Sequence, residues 1–189
     1  MKFAFKFLAA LVVGIVIGLL VTWLTIMRGM PEGISNGPWR TSLLIGSSGG
    51  DPYVRALVAV HGLLALNRSE TIYFTAATDN SGQPLDGACT YQIAGHDPDA
   101  RWWSITAYGP DDFLIPNPVD RYSISKNSVV RLAGGGFAAS VGSAAEVQNW
   151  VPTARGRFSL TLRLYNPGKT VAANPAGASL PEIVRGACT

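Results

Sequence analysis

The chain has 189 residues and a formal net charge of +3, and this charge belongs to its N-terminal segment. Three of the fifteen basic residues, Lys2, Lys6 and Arg28, lie there, whereas all twelve acidic residues follow, so the rest of the chain is formally neutral. Because no basic cluster is present to neutralise phosphates, the composition excludes a nucleic-acid-binding protein. The residues after this segment are enough for one domain with its own core.

An uninterrupted apolar run extends from Phe7 to Met27. As a helix it would span about 30 Å, the thickness of a bilayer's hydrocarbon core. No Ala-x-Ala cleavage pattern follows, so we predict an uncleaved transmembrane signal anchor over residues 1–30, with the lipid bilayer as its partner. Because two lysines precede the run and one arginine follows it, the N-terminus is predicted to be cytoplasmic and the remaining chain periplasmic, in a bacterial inner membrane.

Small side chains recur every four residues within this run, at Ala10, Gly14, Gly18 and Thr22. Such a row permits close approach of two helices in lipid, where packing rather than hydrophobicity drives association. The pattern predicts an interface with another transmembrane helix, either from a second copy or from a larger membrane complex. The alternative is that glycine is simply frequent in transmembrane helices and the anchor has no partner.

Residues 31–50 are rich in Gly, Ser and Pro and are interpreted as a linker. Asp51 and Pro52 then form the start signal of a helix. Apolar residues at helical spacing continue to Ala65, and Asn67 is the expected end of the only soluble helix that the sequence predicts. His61 lies on the apolar stripe of this helix and is expected to be a hydrogen-bonded core histidine.

After this helix the hydrophobic period changes to two, which predicts strands in a domain over residues 51–189. The predicted strands are Thr71 to Ala77, Ala88 to Gly95, Trp102 to Tyr108, Tyr122 to Ser125, Ser128 to Leu132, Phe137 to Val141 and Arg157 to Tyr165. The last one alternates most clearly, with Phe158, Leu160, Leu162 and Leu164 on one face. We therefore expect a mainly β fold, an antiparallel sandwich or partial barrel with one soluble helix, preceded by the transmembrane helix.

The two cysteines, Cys89 and Cys188, both lie in the part predicted to be outside the cytoplasm. In an oxidising compartment such a pair is expected to form a disulfide, which would hold the C-terminus in place. The alternative is two buried free thiols.

Two ordered blocks of residues resemble the domain of unknown function 1214 (DUF1214) family. The blocks comprise Trp103 to Tyr108, Phe113-Leu114, Asn117-Pro118 and Arg121 to Ser123, then Asn149 to Pro152, Gly156 and Phe158 to Tyr165. The resemblance covers the chain from about Asp51 to Pro167 and implies a β-rich sandwich, but no catalytic residues. Members of this family are often longer and carry a second uncharacterised domain, DUF1254, ahead of this one. Here a membrane anchor stands in that place.

Polar and aromatic residues in one segment form the candidate ligand-binding site: Asp111, Asp112, Asn117, Arg121, Tyr122 and Trp150. Arg121 could hold a carboxylate in a bidentate manner while aromatic faces line a cleft, which suits a small anionic or sugar-like ligand. The favoured alternative is that Arg121 pairs with Asp111 or Asp112 to brace the loop.

No pattern in the sequence specifies catalysis or a cofactor. His96, Asp97 and Asp99 offer metal-ligand types but are expected to form a polar turn, and the glycines at 134–136 a hairpin turn. No nucleophile elbow or phosphate loop is present, so no catalytic residue, metal or cofactor is predicted. The sequence favours an anchored extracytoplasmic accessory or binding module. The alternatives are an enzyme acting on a small metabolite at Asp111, Asp112 and Arg121, and a structural subunit of an inner-membrane assembly.

Overall fold

A computed structural model describes residues 2–27, 33–61, 63, 65–143 and 148–188. The helices of this described part are α1 (Lys2–Met27), α2 (Pro52–Val60) and α3 (Lys169–Ala173). Its strands are β1 (Ile34–Asn36), β2 (Trp39–Thr41), β3 (Thr71–Ala76), β4 (Cys89–Gly95), β5 (Ala100–Tyr108), β6 (Ser123–Ser125), β7 (Phe137–Gly142), β8 (Trp150–Pro152), β9 (Ser159–Pro167) and β10 (Glu182–Cys188). The five-residue helix α3 adds to the one soluble helix that the sequence predicted.

The strands form two sheets. The first has six antiparallel strands in the order β1-β2-β3-β9-β5-β6, and the second has four in the order β10-β4-β7-β8. The second sheet is mixed, because β7 and β8 run parallel. One cluster of buried side chains joins the inner faces of both sheets. The predicted mainly β sandwich is therefore confirmed.

Strand β9 shows how the sequence builds this core. Phe158 and the alternate residues after it are buried as predicted, namely Leu160, Leu162 and Leu164. Across the two sheets, the rings of Trp103 on β5 and Phe137 on β7 stack with their centroids 4.7 Å apart. The alternation of β9 thus directs one face to the core and leaves the other face, which includes Arg163, outside the sandwich.

Helix α2 begins at the residue that the sequence predicts, but it ends before the predicted end at Asn67. The Asp51 carboxylate accepts hydrogen bonds from the backbone N–H groups of Tyr53 and Val54, at 2.8 and 2.9 Å. The helix ends at Val60 with His61 as its C-cap, and the N–H of Leu66 donates to the Tyr73 hydroxyl. The predicted extension to Asn67 is therefore wrong, and Leu64, part of that apolar stripe, lies outside the described residues.

The segment interpreted as a linker contains the β1–β2 hairpin at the edge of the six-stranded sheet. Trp39 is 1% exposed, and its indole N–H donates to the carbonyl of Pro181 at 2.8 Å. Three-residue strands are too short to show a hydrophobic period, and the partner of Trp39 is 142 positions away. Sequence reasoning therefore missed this hairpin, and residues 34–41 belong to the folded sheet.

Most predicted strands form within two residues of their expected bounds, but Ser128 to Leu132 does not become one. The Ser128 hydroxyl accepts the N–H of Ser125 at 2.8 Å and closes a turn, after which Arg131 pairs with Phe137 only as an isolated bridge. Strands β8 and β10 were not predicted.

The predicted disulfide between Cys89 and Cys188 is present. The two residues lie opposite each other in the antiparallel pair formed by β4 and β10. The bond joins the last strand to the strand that it pairs with, and it indicates an oxidising compartment.

Helix α1 is long and apolar enough to span a membrane, a property that signal sequences share. A Cβ atom placed on Gly14 or Gly18 would meet nothing within 4 Å. At these two positions the row of small residues therefore has no neighbouring atoms packed against it.

Candidate ligand-binding site

The loop after β5, residues 109–122, is organised by Asn117. Its side-chain oxygen accepts the N–H groups of Val119 and Arg121 at 3.3 and 3.0 Å. Its amide nitrogen donates to the carbonyls of Ile115 and Arg121, both at 3.1 Å. Four hydrogen bonds of one side chain hold the loop, so Asn117 braces it in the way that was expected of Arg121.

Arg121 does not form the expected ion pair with Asp111 or Asp112. Within the described residues its guanidinium instead donates to the carbonyl oxygen of Trp150, at 3.4 Å. The ion pair was plausible from sequence proximity, but Asp111 accepts the N–H of Phe113 within its own turn. The tertiary contact of Arg121 is with strand β8, which the sequence did not predict.

Two aspartates of the predicted constellation line different cavities. Asp112 lines a pocket under α2, whereas Asp111 lines a separate surface depression beside Arg155 and Arg157. The Tyr122 hydroxyl donates to the Asp120 carboxylate at 3.1 Å, and this hydrogen bond raises the pKa of Tyr122. Asp111 and Asp112 therefore do not contribute to the same cavity, whereas ligand binding by the other residues of the constellation stays a prediction.

Among the metal-ligand types at His96, Asp97 and Asp99, the Asp97 carboxylate is held by hydrogen bonds. The Asp97 carboxylate accepts the indole N–H of Trp103 and a guanidinium N–H of Arg131, both at 2.7 Å. Burial raises its pKa, but these hydrogen bonds and the charge of Arg131 outweigh burial and lower it. Among the described residues, no group of three or more His, Cys, Asp and Glu side chains is placed to hold a metal ion.

The cavity that Asp112 lines, the α2 pocket, lies between α2 and the outer face of the six-stranded sheet. It has a volume of about 250 Å³, slightly below the usual range of about 300–1,000 Å³ for small-molecule sites. Its apolar side comprises Ile45, Leu57, Val58 and Leu63, and its remaining lining residues are His61, Thr75, Tyr108, Asp112, Ser159, Thr161 and Arg163.

Arg163 on β9 is the basic side chain of this pocket, and its neighbours hold it in place. Its guanidinium donates to the hydroxyls of Tyr108 at 2.7 Å and Thr106 at 3.3 Å. It also lies over the rings of Tyr108 and Tyr73, at 5.4 and 5.9 Å from their centroids. These contacts orient the guanidinium before any ligand arrives.

The charge of Arg163 has no carboxylate partner in the described part of the chain. The ion pairs there join Arg131 to Asp97 and Arg185 to Asp79. Arg163 is only partly exposed, so its charge is less well solvated than that of a surface arginine. A guanidinium in this position is suited to binding an anion.

His61 and Asp112 also line the pocket without being joined to each other. His61 is exposed, so the expectation of a core histidine is wrong: α2 ends one residue earlier, which leaves His61 at its open end. Its Nδ1 atom donates to the carbonyl of Leu57 at 3.0 Å, because that oxygen can only accept. Since His61 bonds to the backbone, a serine-histidine-aspartate relay is not assembled here.

Sequence reasoning missed this site because its two sides come from distant segments. The signal available was the polar face of β9, which carries Ser159, Thr161 and Arg163 in alternation. Nothing local indicated that α2 covers that face.

Solved structures of two other proteins are similar to parts of this chain. The chain superposes on the VPA0106 protein from Vibrio parahaemolyticus with a TM-score of 0.61 at 22% identity, over 74% of this chain and 36% of that one. An uncharacterised protein from Burkholderia cenocepacia has a TM-score of 0.48 at 13% identity, over 89% of this chain and 40% of that one. The chain thus spans well under half the length of either protein. A comparison with curated proteins gave no match.

A family model described as a protein of unknown function (DUF1214) matches residues 70–169, more than half of the chain. The match contains both sequence blocks noted above, strands β3 to β9 and the polar side of the α2 pocket with Arg163. It excludes α1, α2 and β10. The chain therefore belongs to the DUF1214 family of proteins of unknown function.

Proposed function

We propose that this protein is a membrane-anchored extracytoplasmic module that binds a small ligand in the α2 pocket. The observation that carries the proposal is the oriented guanidinium of Arg163, which faces a partly apolar cavity without a carboxylate partner. Binding sites commonly combine an apolar lining with a few placed polar groups. The enzymatic alternative at Asp111, Asp112 and Arg121 is less well supported, because Asp111 and Asp112 line two different cavities.

The proposed location is the bacterial inner membrane, with the N-terminus in the cytoplasm and the β domain in the periplasm. Helix α1 has the length and composition of a single-pass anchor, and its flanking charges favour this orientation. The disulfide between Cys89 and Cys188 supports an oxidising compartment. The state of these cysteines in cells tests the placement, because a cytoplasmic domain would keep both thiols reduced.

Filling the α2 pocket should abolish ligand binding. Thr75 is exposed and lines the cavity, so Thr75→Trp adds volume without removing a core side chain. We expect octanoate, 1-octanol or both to raise the thermal unfolding midpoint of the full chain in lipid nanodiscs, since a ligand that binds only the folded state stabilises it. Thr75→Trp should lose this shift.

The matched control is Thr170→Trp, an exposed position on α3 outside the pocket, which should keep the shift. The proposed binding function is wrong if neither probe changes the midpoint of the wild type, or if Thr75→Trp responds as the wild type does.

We also propose that the row of Ala10, Gly14, Gly18 and Thr22 packs against another transmembrane helix, from a second copy or a larger membrane complex. Gly14→Ile with Gly18→Ile should remove crosslinking to that partner, because the added side chains prevent close backbone approach. The control pair Ala9→Ile with Val16→Ile, on the opposite face, should retain it. Unchanged crosslinking in the glycine double variant would show that the row is not an interface.

A further inference from the structure

We infer that the ligand of the α2 pocket is a short aliphatic monocarboxylate, bound with its carboxylate on Arg163 and its alkyl chain against α2. This inference rests on the proposed binding function and specifies the chemical class of the ligand.

The first step is the donor count of the guanidinium. Arginine has five N–H donors, and the described contacts use one toward Tyr108 and one toward Thr106. Both acceptors are neutral hydroxyls, so three donors and the full positive charge remain for a ligand. A planar carboxylate matches this fork with two parallel hydrogen bonds.

The second step is the fixed position of the guanidinium. The rings of Tyr73 and Tyr108 lie within 6 Å of it, and Thr106 is itself buried. Because the side chain is already ordered, binding does not require it to lose further rotamer freedom. The arrangement therefore favours an anion that approaches from the pocket side.

The third step is the apolar side of the cavity. Leu57 and Val58 on α2, together with Ile45 and Leu63, give the pocket a hydrocarbon surface next to Arg163. An inorganic anion would leave this surface exposed to water, whereas an alkyl chain would cover it. The volume of about 250 Å³ restricts that chain to a short one.

The fourth step is the remaining charge at the pocket. The Asp112 carboxylate lines the same cavity without an ion-pair partner among the described residues. Of the residues that the structure describes, Arg163 is the one arginine or lysine that lines this pocket, so a second carboxylate on the ligand would gain no such partner and would still be repelled by Asp112. The site therefore disfavours dicarboxylates. His61, the other titratable neighbour, already donates its Nδ1 hydrogen to the backbone.

Titration calorimetry of the full chain in lipid nanodiscs, with octanoate, hexanoate, octanedioate and 1-octanol as probes, tests this assignment. We expect octanoate to bind more tightly than 1-octanol and octanedioate. It should also bind roughly 15-fold more tightly than hexanoate, because each buried methylene contributes about fourfold. Arg163→Gln should weaken octanoate binding by about 10- to 100-fold and leave 1-octanol unaffected.

Two further variants complete the design. Arg101→Gln, at an exposed arginine of β5 outside the pocket, should bind octanoate as the wild type does. Arg163→Lys keeps the positive charge but loses the two parallel N–H donors of the guanidinium, so it should bind octanoate with intermediate affinity. The probe comparison on the wild type needs no variant and therefore remains decisive if Arg163→Gln does not fold.

The outcomes separate the two proposals. If octanoate and 1-octanol bind equally well and Thr75→Trp removes both, the pocket binds apolar molecules and the carboxylate assignment is wrong. If Arg163→Gln folds and keeps full octanoate affinity, the assignment is also wrong. If none of the probes binds the wild type, the binding function itself fails.

Discussion

Replacing Asp79 with alanine should lower the free energy of unfolding by about 3 to 5 kcal/mol, because it breaks a buried ion pair and three further hydrogen bonds. The Asp79 side chain is 1% exposed, and its Oδ2 atom accepts from Arg185 Nε at 2.9 Å. Its Oδ1 atom accepts from the hydroxyl and N–H of Ser81 and from the N–H of Gln83. The carboxylate therefore joins the loop after β3 to strand β10.

Urea unfolding of the full chain measures this effect. Asp79→Asn should cost less than alanine, since its amide oxygen still accepts the backbone N–H groups of Ser81 and Gln83. The control Asp111→Ala, at an exposed aspartate with one 3.2 Å hydrogen bond, should change stability by less than about 1 kcal/mol. A similarly small effect at Asp79 would contradict the role assigned to it.

The same carboxylate gives the stability a predictable pH dependence. Burial raises the pKa of Asp79, but the hydrogen bonds from Ser81, Gln83 and Arg185 outweigh it, so the pKa lies below its ordinary value of 3.8. A lowered pKa in the folded state contributes stability above the unfolded pKa, and this is lost as the pH falls through the folded pKa. The cost of Asp79→Asn should therefore diminish below about pH 4.

Removing the disulfide with Cys89→Ser and Cys188→Ser should cost about 2 to 5 kcal/mol of unfolding free energy. The two cysteines are 99 positions apart, and the chain-entropy model assigns about 4.7 kcal/mol to a loop of about this length. The residues from Gly186 to Cys188 at the end of β10 are exposed, so little buried surface holds them in place apart from this bond. The pairing of β10 with β4 near Cys89 should loosen first.

Denaturant unfolding of oxidised wild type, reduced wild type and the double variant measures this contribution. The reduced wild type and the double variant should be equally destabilised, which serves as the internal control. Acid trapping of thiols in intact cells, followed by alkylation and mass spectrometry, reports the natural state. Two freely alkylated thiols would overturn both the bond and the proposed periplasmic location.

Local sequence patterns were sufficient to predict a helix or strand where one face of that element is buried or where a cap marks its start. The alternation from Phe158 to Leu164 predicted β9 and its core face, because a strand's side chains alternate between core and outer face. Asp51 and Pro52 predicted the start of α2, because the cap depends only on residues within one helical turn.

The candidate site shows where local patterns stop being informative. Arg121 and the neighbouring aspartates are close in sequence, yet the arginine contacts the carbonyl of Trp150, 29 positions away. Arg163 was visible only as one polar residue of β9. Its significance depends on Tyr73 and Tyr108 from two neighbouring strands, which sequence distance does not relate.

The apolar N-terminal helix, the mainly β class, the start of α2, the disulfide partners and the family could all be predicted from the amino-acid sequence. These features follow from composition, periodicity, residue pairs and ordered motifs. Three features became apparent only from the folded chain: the β1–β2 hairpin joins the sheet, His61 is exposed, and α2 and Arg163 line the same pocket. The physical reason is that a periodic pattern specifies which face of an element is apolar, whereas the element that covers it is chosen by long-range packing of the whole chain.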